Sequence, residues 1–244
     1  IHTGSRGLGH QVATDYVRKM MSVMAGYGIK LPDRELACVP FNCPEGQDYF
    51  YAMCAAANYA WCNREVITWE TRNAFKEVFG QNTEPIQLLY DVAHNIAKIE
   101  THKIEKTSQK VIVHRKGATR AFGPGFHELP EEFNAAGQPV LIPGSMGTCS
   151  YVLAGQQQSM ETSFGSCCHG AGRAMSRRAA KKAVDAPSLL RKLKEEGIHI
   201  QAGSYRGVVE EAPQAYKNID TVIEAELDLI KPLVKLRPLA VVKG

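Results

Sequence analysis

The chain has 244 residues, of which 44% are hydrophobic, enough for the core of one large domain or two small ones. No run of about 18 apolar residues occurs, which argues against a membrane-spanning helix. The net charge of +4 permits a polyanionic partner without requiring one. The seven cysteines are an odd number with no paired zinc-motif spacing. We therefore expect a reducing, cytoplasmic setting with mostly buried thiols.

The first part of the chain predicts two helices joined by a loop. His2 and Arg6 stand among glycines at positions 4, 7 and 9, a composition that suits a loop approaching a phosphate. A helical pattern follows from about 11 to 25, prolines mark 31–47 as a loop, and a second helical pattern covers 47–80. From local sequence alone, His2 could also be a core histidine at a strand end, and Arg6 an ordinary surface cation.

Short apolar runs then lead into polar or basic segments. Residues 87–92 predict a strand or the start of a helix that presents His94 and Asn95 at its end, and neutral imidazole is a common metal ligand. A Val-Ile-Val strand at 110–114 feeds a basic loop at 114–120, whose cations suit a phosphate backbone. The alternatives are a capping histidine at position 94 and a solvated, charged loop.

The following strand, predicted at 139–142, runs into a loop of glycines and hydroxyl residues that can hydrogen-bond a nucleotide. The remaining pattern downstream predicts a helix at 188–196, a strand at 198–202, a helix at 219–229 and a strand at 235–242.

The most informative stretch is Ser-Cys-Cys-His-Gly-Ala-Gly-Arg at 166–173. Small residues after His169 let backbone N–H groups come close to a ligand, and residues 173–182 predict a helix. A turn that opens a helix suits an anion, and a histidine there can be a base, a metal ligand or a nucleophile toward a phosphate. The alternative is a glycine-rich turn with a buried, hydrogen-bonded histidine.

Helices and strands mix along the whole chain, with glycine loops where they meet. This pattern predicts a mixed α/β or α+β fold, with residues 1–244 forming a single domain. Four of the loops carry a histidine or several hydroxyls, so we expect one large central cleft for phosphate and metal.

Seven motifs, in order, resemble those of the RtcB family of tRNA-splicing RNA ligases, and the resemblance covers the whole chain. They lie at 2–11, 91–95, 114–122, 144–151, 168–173, 211–217 and 237–244. The resemblance implies an enzyme that depends on Mn²⁺ and uses GTP. Such an enzyme joins RNA ending in a 2′,3′-cyclic phosphate or 3′-phosphate to RNA with a 5′-hydroxyl. The RNA would be tRNA exon halves or broken RNA under repair, and an activating protein partner is possible.

The resemblance also implies a role for each residue that matches a family motif. His169 falls at the nucleophile that becomes guanylylated, and His2 and His94 fall at metal ligands. The implied nucleotide contacts are Asn95, Pro143, Gly144, Ser145, Met146, Ser150, Gly170, Ala171, Gly172, Tyr216 and Lys243. The implied ligands of RNA phosphates are Arg6, Arg173 and Arg177.

The chain departs from the family pattern in one respect. The other metal ligands come from an Asp-x-Gly-Cys-Gly motif and a Gly-Asn-His motif upstream, and neither occurs here. We expect a C-terminal catalytic portion with the nucleophile, much of the nucleotide pocket and part of the metal site. The alternatives are a catalytically incomplete fragment that binds RNA or nucleotide, and a metallohydrolase that hydrolyses GTP without a protein adduct.

Overall fold

The computed structural model describes residues 1–80 and 84–243 and divides into two compact units, residues 1–89 and 90–244. The predicted mixture of helices and sheets is confirmed. Among the described residues, no helix is both long enough and apolar enough to cross a membrane. The single domain with a central cleft stays a prediction.

The first unit is built on two helices, α1 (Gly7–Val23) and α2 (Pro44–Phe79), as the sequence predicts. Pro44 opens α2 at a position where its missing N–H costs no hydrogen bond, and the Cys43 thiol caps the helix by accepting from the Gly46 N–H. The helices pack side by side, with the Tyr16 and Tyr49 rings 5.3 Å apart.

All the strands formed by the described residues lie in the second unit. The strands are β1 (Asn95–Ile104), β2 (Thr107–Lys116), β3 (Ala118–Arg120), β4 (Pro139–Ile142), β5 (Ser150–Gly155), β6 (Ser166–Cys168), β7 (His199–Ala202), β8 (Ile230–Leu236) and β9 (Ala240–Lys243). Its helices are α3 (Glu131–Asn134), α4 (Gln157–Thr162), α5 (Arg177–Ala183), α6 (Ala186–Glu195), α7 (Tyr205–Glu210) and α8 (Ile219–Glu224).

The strands form four small sheets. Three are antiparallel, namely the β1–β2 hairpin, the β3–β6 pair and the three-stranded sheet β4–β5–β8, and β7–β9 is a parallel pair. One core cluster packs Val140, Ile142 and Leu153 of the three-stranded sheet against Ile219 and Ile223 of α8. A second cluster surrounds Leu189 and Leu193 on the buried face of α6.

Four predicted elements differ from the structure. Residues 87–92 form neither strand nor helix, because the run finds no pairing partner and Leu88 and Leu89 stay exposed. The helix predicted at 173–182 begins only at Arg177, with Ser176 as its N-cap, because Arg173 forms a β-bridge with Tyr216. The helix at 219–229 ends at Glu224.

The strand predicted at 235–242 is two strands, β8 and β9, that belong to different sheets. Residues 237–239, which include Pro238, interrupt the pairing. Proline has no N–H to donate to a ladder, so the chain changes sheets at that point.

Candidate active site

His94 and His169 are brought together by a short turn around Gly117. The Gly117 N–H donates to the His94 carbonyl at 2.9 Å, and the His169 N–H donates to the Gly117 carbonyl at 3.3 Å. The β3–β6 ladder, in which Ala118 opposes Cys168, places His169 one residue beyond its end. Residues that are 75 positions apart in sequence therefore become neighbours.

The two imidazole rings are in contact. Their centroids lie 3.9 Å apart with 77° between the ring planes, and the Nδ1 atoms of both rings are buried. Asn95 stands beside them, and its side-chain oxygen accepts from the Gly117 N–H at 3.0 Å. Of the predicted catalytic and metal residues, His94 and His169 are thus in one place, whereas His2 belongs to the first unit.

The Gly-Ala-Gly turn after His169 lies against the loop that begins at Pro143. The Ala171 N–H donates to the Pro143 carbonyl at 3.3 Å, and the Gly172 carbonyl accepts from the Lys217 N–H at 3.0 Å. Gly172 has a φ of 71°, a conformation that favours glycine. Gly170 is part of the same turn, so two of the predicted nucleotide-binding segments are adjacent.

Hydroxyls of the 143–151 loop hold the loop itself. The Ser150 hydroxyl accepts from the Gly144 N–H at 3.3 Å, and the Thr148 hydroxyl accepts from the Ser145 N–H at 2.6 Å. A side chain at Gly144 would collide with the Cys149 carbonyl, which explains the glycine. Met146 is buried in the core cluster around α6, so its side chain packs there.

Arg173, Tyr216, Glu211 and Lys243 form one charged cluster. The Arg173 guanidinium lies 4.9 Å from the centre of the Tyr216 ring and donates to its hydroxyl at 2.9 Å. That hydroxyl donates a short hydrogen bond to Glu211, whose carboxylate is 3.7 Å from the Lys243 ammonium. Burial and the Glu211 carboxylate raise the pKa of Tyr216 to about 12, so its hydroxyl stays protonated.

The predicted phosphate ligands have partners within the protein. Each nitrogen of the Arg173 guanidinium donates, to the Tyr216 hydroxyl and to the carbonyls of Met175 and Glu210. Arg177 lies 3.6 Å from the Glu210 carboxylate. Arg6 is exposed at the start of α1 in the first unit. Phosphate binding by these arginines stays a prediction.

The described residues do not complete a metal site. Among residues 1–80 and 84–243, no three His, Cys, Asp or Glu side chains gather closely enough to hold a metal ion. The thiols of Cys167 and Cys168, which precede His169, belong to no such group. Burial, followed by the charge of Glu226, raises the pKa of Cys168 to about 12, and burial raises that of Cys167 further. Without a metal both thiols stay protonated, so a metal ion would have to displace a proton to bind either of them.

Sequence reasoning assigned no role to two acidic residues beside the site. Glu211 contacts the Tyr216 hydroxyl and the Lys243 ammonium. Its position at the start of the 211–217 family motif could have indicated a role. Glu226 accepts the Cys168 N–H at 2.9 Å just before His169, and no local pattern marks it. A pocket of about 410 Å³ between α6 and Pro213 contains none of the predicted nucleotide contacts.

Comparison with known proteins shows that a single family model covers all seven motifs. The family model described as tRNA-splicing ligase RtcB matches residues 1–244. The chain belongs to the RtcB family. It is 52% identical to the tRNA-splicing ligase RtcB of Archaeoglobus fulgidus and 52% identical to that of Thermococcus kodakarensis, each over the whole of this chain. It is 53% identical to that of Pyrococcus abyssi, again over the whole of this chain.

The RtcB relatives are longer than this chain. The chain spans 52% of the Archaeoglobus and Thermococcus proteins and 27% of the Pyrococcus abyssi protein. The matched region contains the His94–His169 pair and the cluster around Tyr216. The last residue of the terminal motif, Gly244, lies outside the described residues.

Proposed function

We propose that this chain is the C-terminal catalytic portion of an RNA ligase that uses GTP and Mn²⁺. It would join RNA ends carrying a 2′,3′-cyclic phosphate or a 3′-phosphate to 5′-hydroxyl ends, in tRNA splicing and RNA repair. The observation that carries the proposal is the placement of His169 against His94, beside the glycine turn and the 143–151 loop. Its substrates are RNA and GTP, and an activating protein partner is part of the proposal.

His169 is the proposed nucleophile. A neutral imidazole nitrogen of His169 is suited to attack the α-phosphorus of GTP. A P–N bond forms, the bond from the α-phosphorus to the bridging oxygen breaks, and pyrophosphate leaves. The RNA 3′-phosphate then displaces the imidazole and takes the guanylate. Finally, the RNA 5′-hydroxyl attacks the activated phosphorus, GMP leaves, and a phosphodiester is formed.

The nucleotide pocket is proposed to run from the glycine turn to the Tyr216 cluster. Backbone N–H groups of residues 170–172 suit phosphate oxygens because small side chains let them approach closely. Tyr216 offers a ring for stacking on the base, and Lys243 offers a donor to guanine O6. Arg173 and Glu211 hold these two side chains through the contacts described above.

His94 is the described residue of the second unit best suited to hold Mn²⁺, through its imidazole. Bound Mn²⁺ would offset negative charge on the phosphates. Since the described residues do not complete its ligand set, no step is assigned to the metal.

The test is covalent labelling of a chain extended upstream to the length of the Archaeoglobus relative, with GTP radioactive at the α-phosphate in the presence of Mn²⁺. A phosphoramidate on His169 is expected to be labile in acid and stable in alkali. His169→Ala should abolish the label, whereas His199→Ala, at an exposed position in β7, should retain it. An undiminished adduct in His169→Ala would reassign the nucleophile.

A second candidate is a catalytically incomplete fragment that binds RNA or nucleotide without turnover. The absence of a group of three metal ligands among the described residues favours it. Nucleotide binding without any label, in this chain and in one extended to the length of its relatives, would support that candidate. Hydrolysis of GTP without a protein adduct would instead indicate a metallohydrolase.

A further inference from the structure

One face of the β1–β2 hairpin carries three lysines and a histidine at regular intervals. In the antiparallel register, Lys103 opposes Ser108, Lys110 opposes Thr101, His114 opposes Ala97 and Lys116 opposes Asn95. Residues directly opposite each other, and every second residue along a strand, point to the same side of a sheet. Lys103, Lys110, His114 and Lys116 therefore share one face, called the basic face below.

The basic face is open and carries one sign of charge. All four of its basic side chains are exposed, and none of its paired positions holds an acidic residue. Among the described residues, these lysines make no ion pair. The hairpin tip has one acid and one base, Glu105 and Lys106, and so adds no net charge.

The opposite face of the hairpin is fixed against the rest of the second unit. Glu100 and Arg115 are both buried on that side, and Arg115 donates to the Phe164 carbonyl and the Ser166 hydroxyl, each at 2.9 Å. The basic face consequently lies on the side of the hairpin opposite these contacts within the second unit. Its cations are held on a rigid ladder, so their spacing is fixed before any ligand binds.

The basic face leads to the candidate active site. Asn95 and Lys116 form the last pair of the ladder, and the next residues on the two strands are His94 and Gly117, which contact each other and His169. From that pair to the pair of Lys103 and Ser108 is eight residues along the strand, or about 27 Å at about 3.4 Å per residue. A row of cations that ends beside a nucleophile fits a polyanion whose terminus reacts there.

We propose that the basic face binds the sugar-phosphate backbone of the RNA strand whose end is held at the His94–His169 pair. The proposal rests on the proposed ligase function and adds the path of its substrate. Recognition is mainly by charge, because the basic face has no Phe, Tyr or Trp ring for base stacking. The contact is therefore independent of base sequence and sensitive to salt.

The experiment compares two triple variants of the full chain for RNA binding. One is Lys103→Gln/Lys110→Gln/Lys116→Gln. The matched control is Lys30→Gln/Lys194→Gln/Lys231→Gln, which removes the same charge from exposed positions elsewhere. The probes are fluorescent single-stranded RNAs with a 3′-phosphate, of about twelve and about three nucleotides. Only the longer one can cover the basic face, because a strand rises about 3.4 Å per nucleotide.

We expect the hairpin variant to weaken binding of the longer RNA about a hundredfold at 0.1 M salt, with the loss vanishing toward 1 M salt. The slope of log affinity against log salt should fall by about 2, since each lost phosphate contact removes about 0.7 for a single strand. The shorter RNA should lose much less affinity, because among the three altered lysines it can reach only Lys116, and the control should keep its affinity for both RNAs.

Equal losses in the two triple variants would overturn the proposal, and so would an equal loss for the two RNA lengths. Unchanged binding of the longer RNA would show that the face serves another partner, such as an acidic protein surface. Guanylate labelling is read separately, in a version of the chain extended upstream to the length of the Archaeoglobus relative. Absence of label would overturn the proposed function, whereas the length and salt dependence would still test the basic face.

Discussion

At the scale of single residues, the Tyr216 cluster shows how neighbouring charged side chains hold an aromatic ring in place. The Arg173 guanidinium stacks on the Tyr216 ring and bonds its hydroxyl, while Glu211 accepts from that hydroxyl and lies near Lys243. Hydrogen bonds that involve an ionised group are stronger than neutral ones. The cluster therefore fixes the ring and the ammonium, which would lower the entropic cost of the nucleotide binding proposed above.

Lys243→Ala should weaken the preference for GTP over ATP. An ammonium only donates hydrogen bonds, so it favours the O6 acceptor of guanine over the amino group of adenine. Loss of a hydrogen bond from a charged donor costs roughly 1.5–3 kcal/mol, or about tenfold or more in affinity. Calorimetric titration with both nucleotides measures the effect, and Lys194→Ala on exposed α6 is the control. If the two affinities are unchanged in Lys243→Ala, Lys243 lies outside the pocket.

At the scale of secondary-structure elements, a buried charge network joins the β1–β2 hairpin to β3 and β6. Glu100 is only 2% exposed and accepts from Arg115 at 2.7 Å, from Arg120 at 2.6 Å and from His102 at 2.9 Å. Burial acts to raise the pKa of Glu100. Hydrogen bonds from Arg115 and His102, with the charges of both arginines, outweigh it and lower the pKa to about 2. Arg115 also bonds Ser166 in β6, so the network fixes the strand that precedes His169.

Glu100→Gln should lower the free energy of unfolding at pH 7 by about 3 kcal/mol, because it leaves buried arginines without their counter-charge. A lowered pKa in the folded state means that Glu100 stabilises the fold fully above its unfolded value of 4.5. That contribution is lost as the pH falls toward about 2. The variant should therefore show a shallower pH dependence of stability across this window.

Chemical denaturation at several pH values measures the effect of Glu100→Gln. The control is Glu161→Gln, at an exposed position in α4, which should match the unaltered chain. A pH profile of Glu100→Gln parallel to that of the unaltered chain would contradict the assignment of charge to Glu100.

At the scale of the whole molecule, the metal site implied by the family resemblance is the part that the described residues leave incomplete. Of its two predicted ligands, His94 lies in the second unit and His2 in the first. Catalytic metal sites commonly use three protein ligands. The sequence lacks both upstream motifs that the family resemblance implies, and the relatives from Archaeoglobus and Thermococcus are about twice as long.

We predict that this chain alone binds Mn²⁺ weakly and forms little guanylate adduct. A version extended upstream to the length of the Archaeoglobus relative should do both well. In the extended version, His2→Ala and His94→Ala should each reduce metal affinity and adduct formation, whereas His199→Ala should not. Calorimetry or electron paramagnetic resonance of Mn²⁺ titrations provides the measurement. Tight binding by the short chain, equal to that of the long one, would mean that its own residues complete the site.

The sequence by itself determined the elements that depend on local pattern. The helical periodicity of the first unit predicted α1 and α2, and the short apolar run before Pro143 predicted β4 with its observed bounds. It also determined the family, because motifs such as Cys-His-Gly-Ala-Gly-Arg are long and chemically unusual. It did not predict β1. In this strand the buried face carries the polar residues Glu100 and His102, so the usual alternation of apolar and polar residues is missing.

Only the tertiary structure decided which of those residues meet. His94 and His169 are neighbours because β3 pairs with β6, and the pairing partner of a three-residue strand is not encoded in its own pattern. The same holds for Arg173, which reads as a free cation in sequence but donates to Tyr216, Met175 and Glu210 once the chain folds. Periodicity reports which side of an element is buried, whereas hydrogen bonds and ion pairs between distant segments depend on how the elements pack.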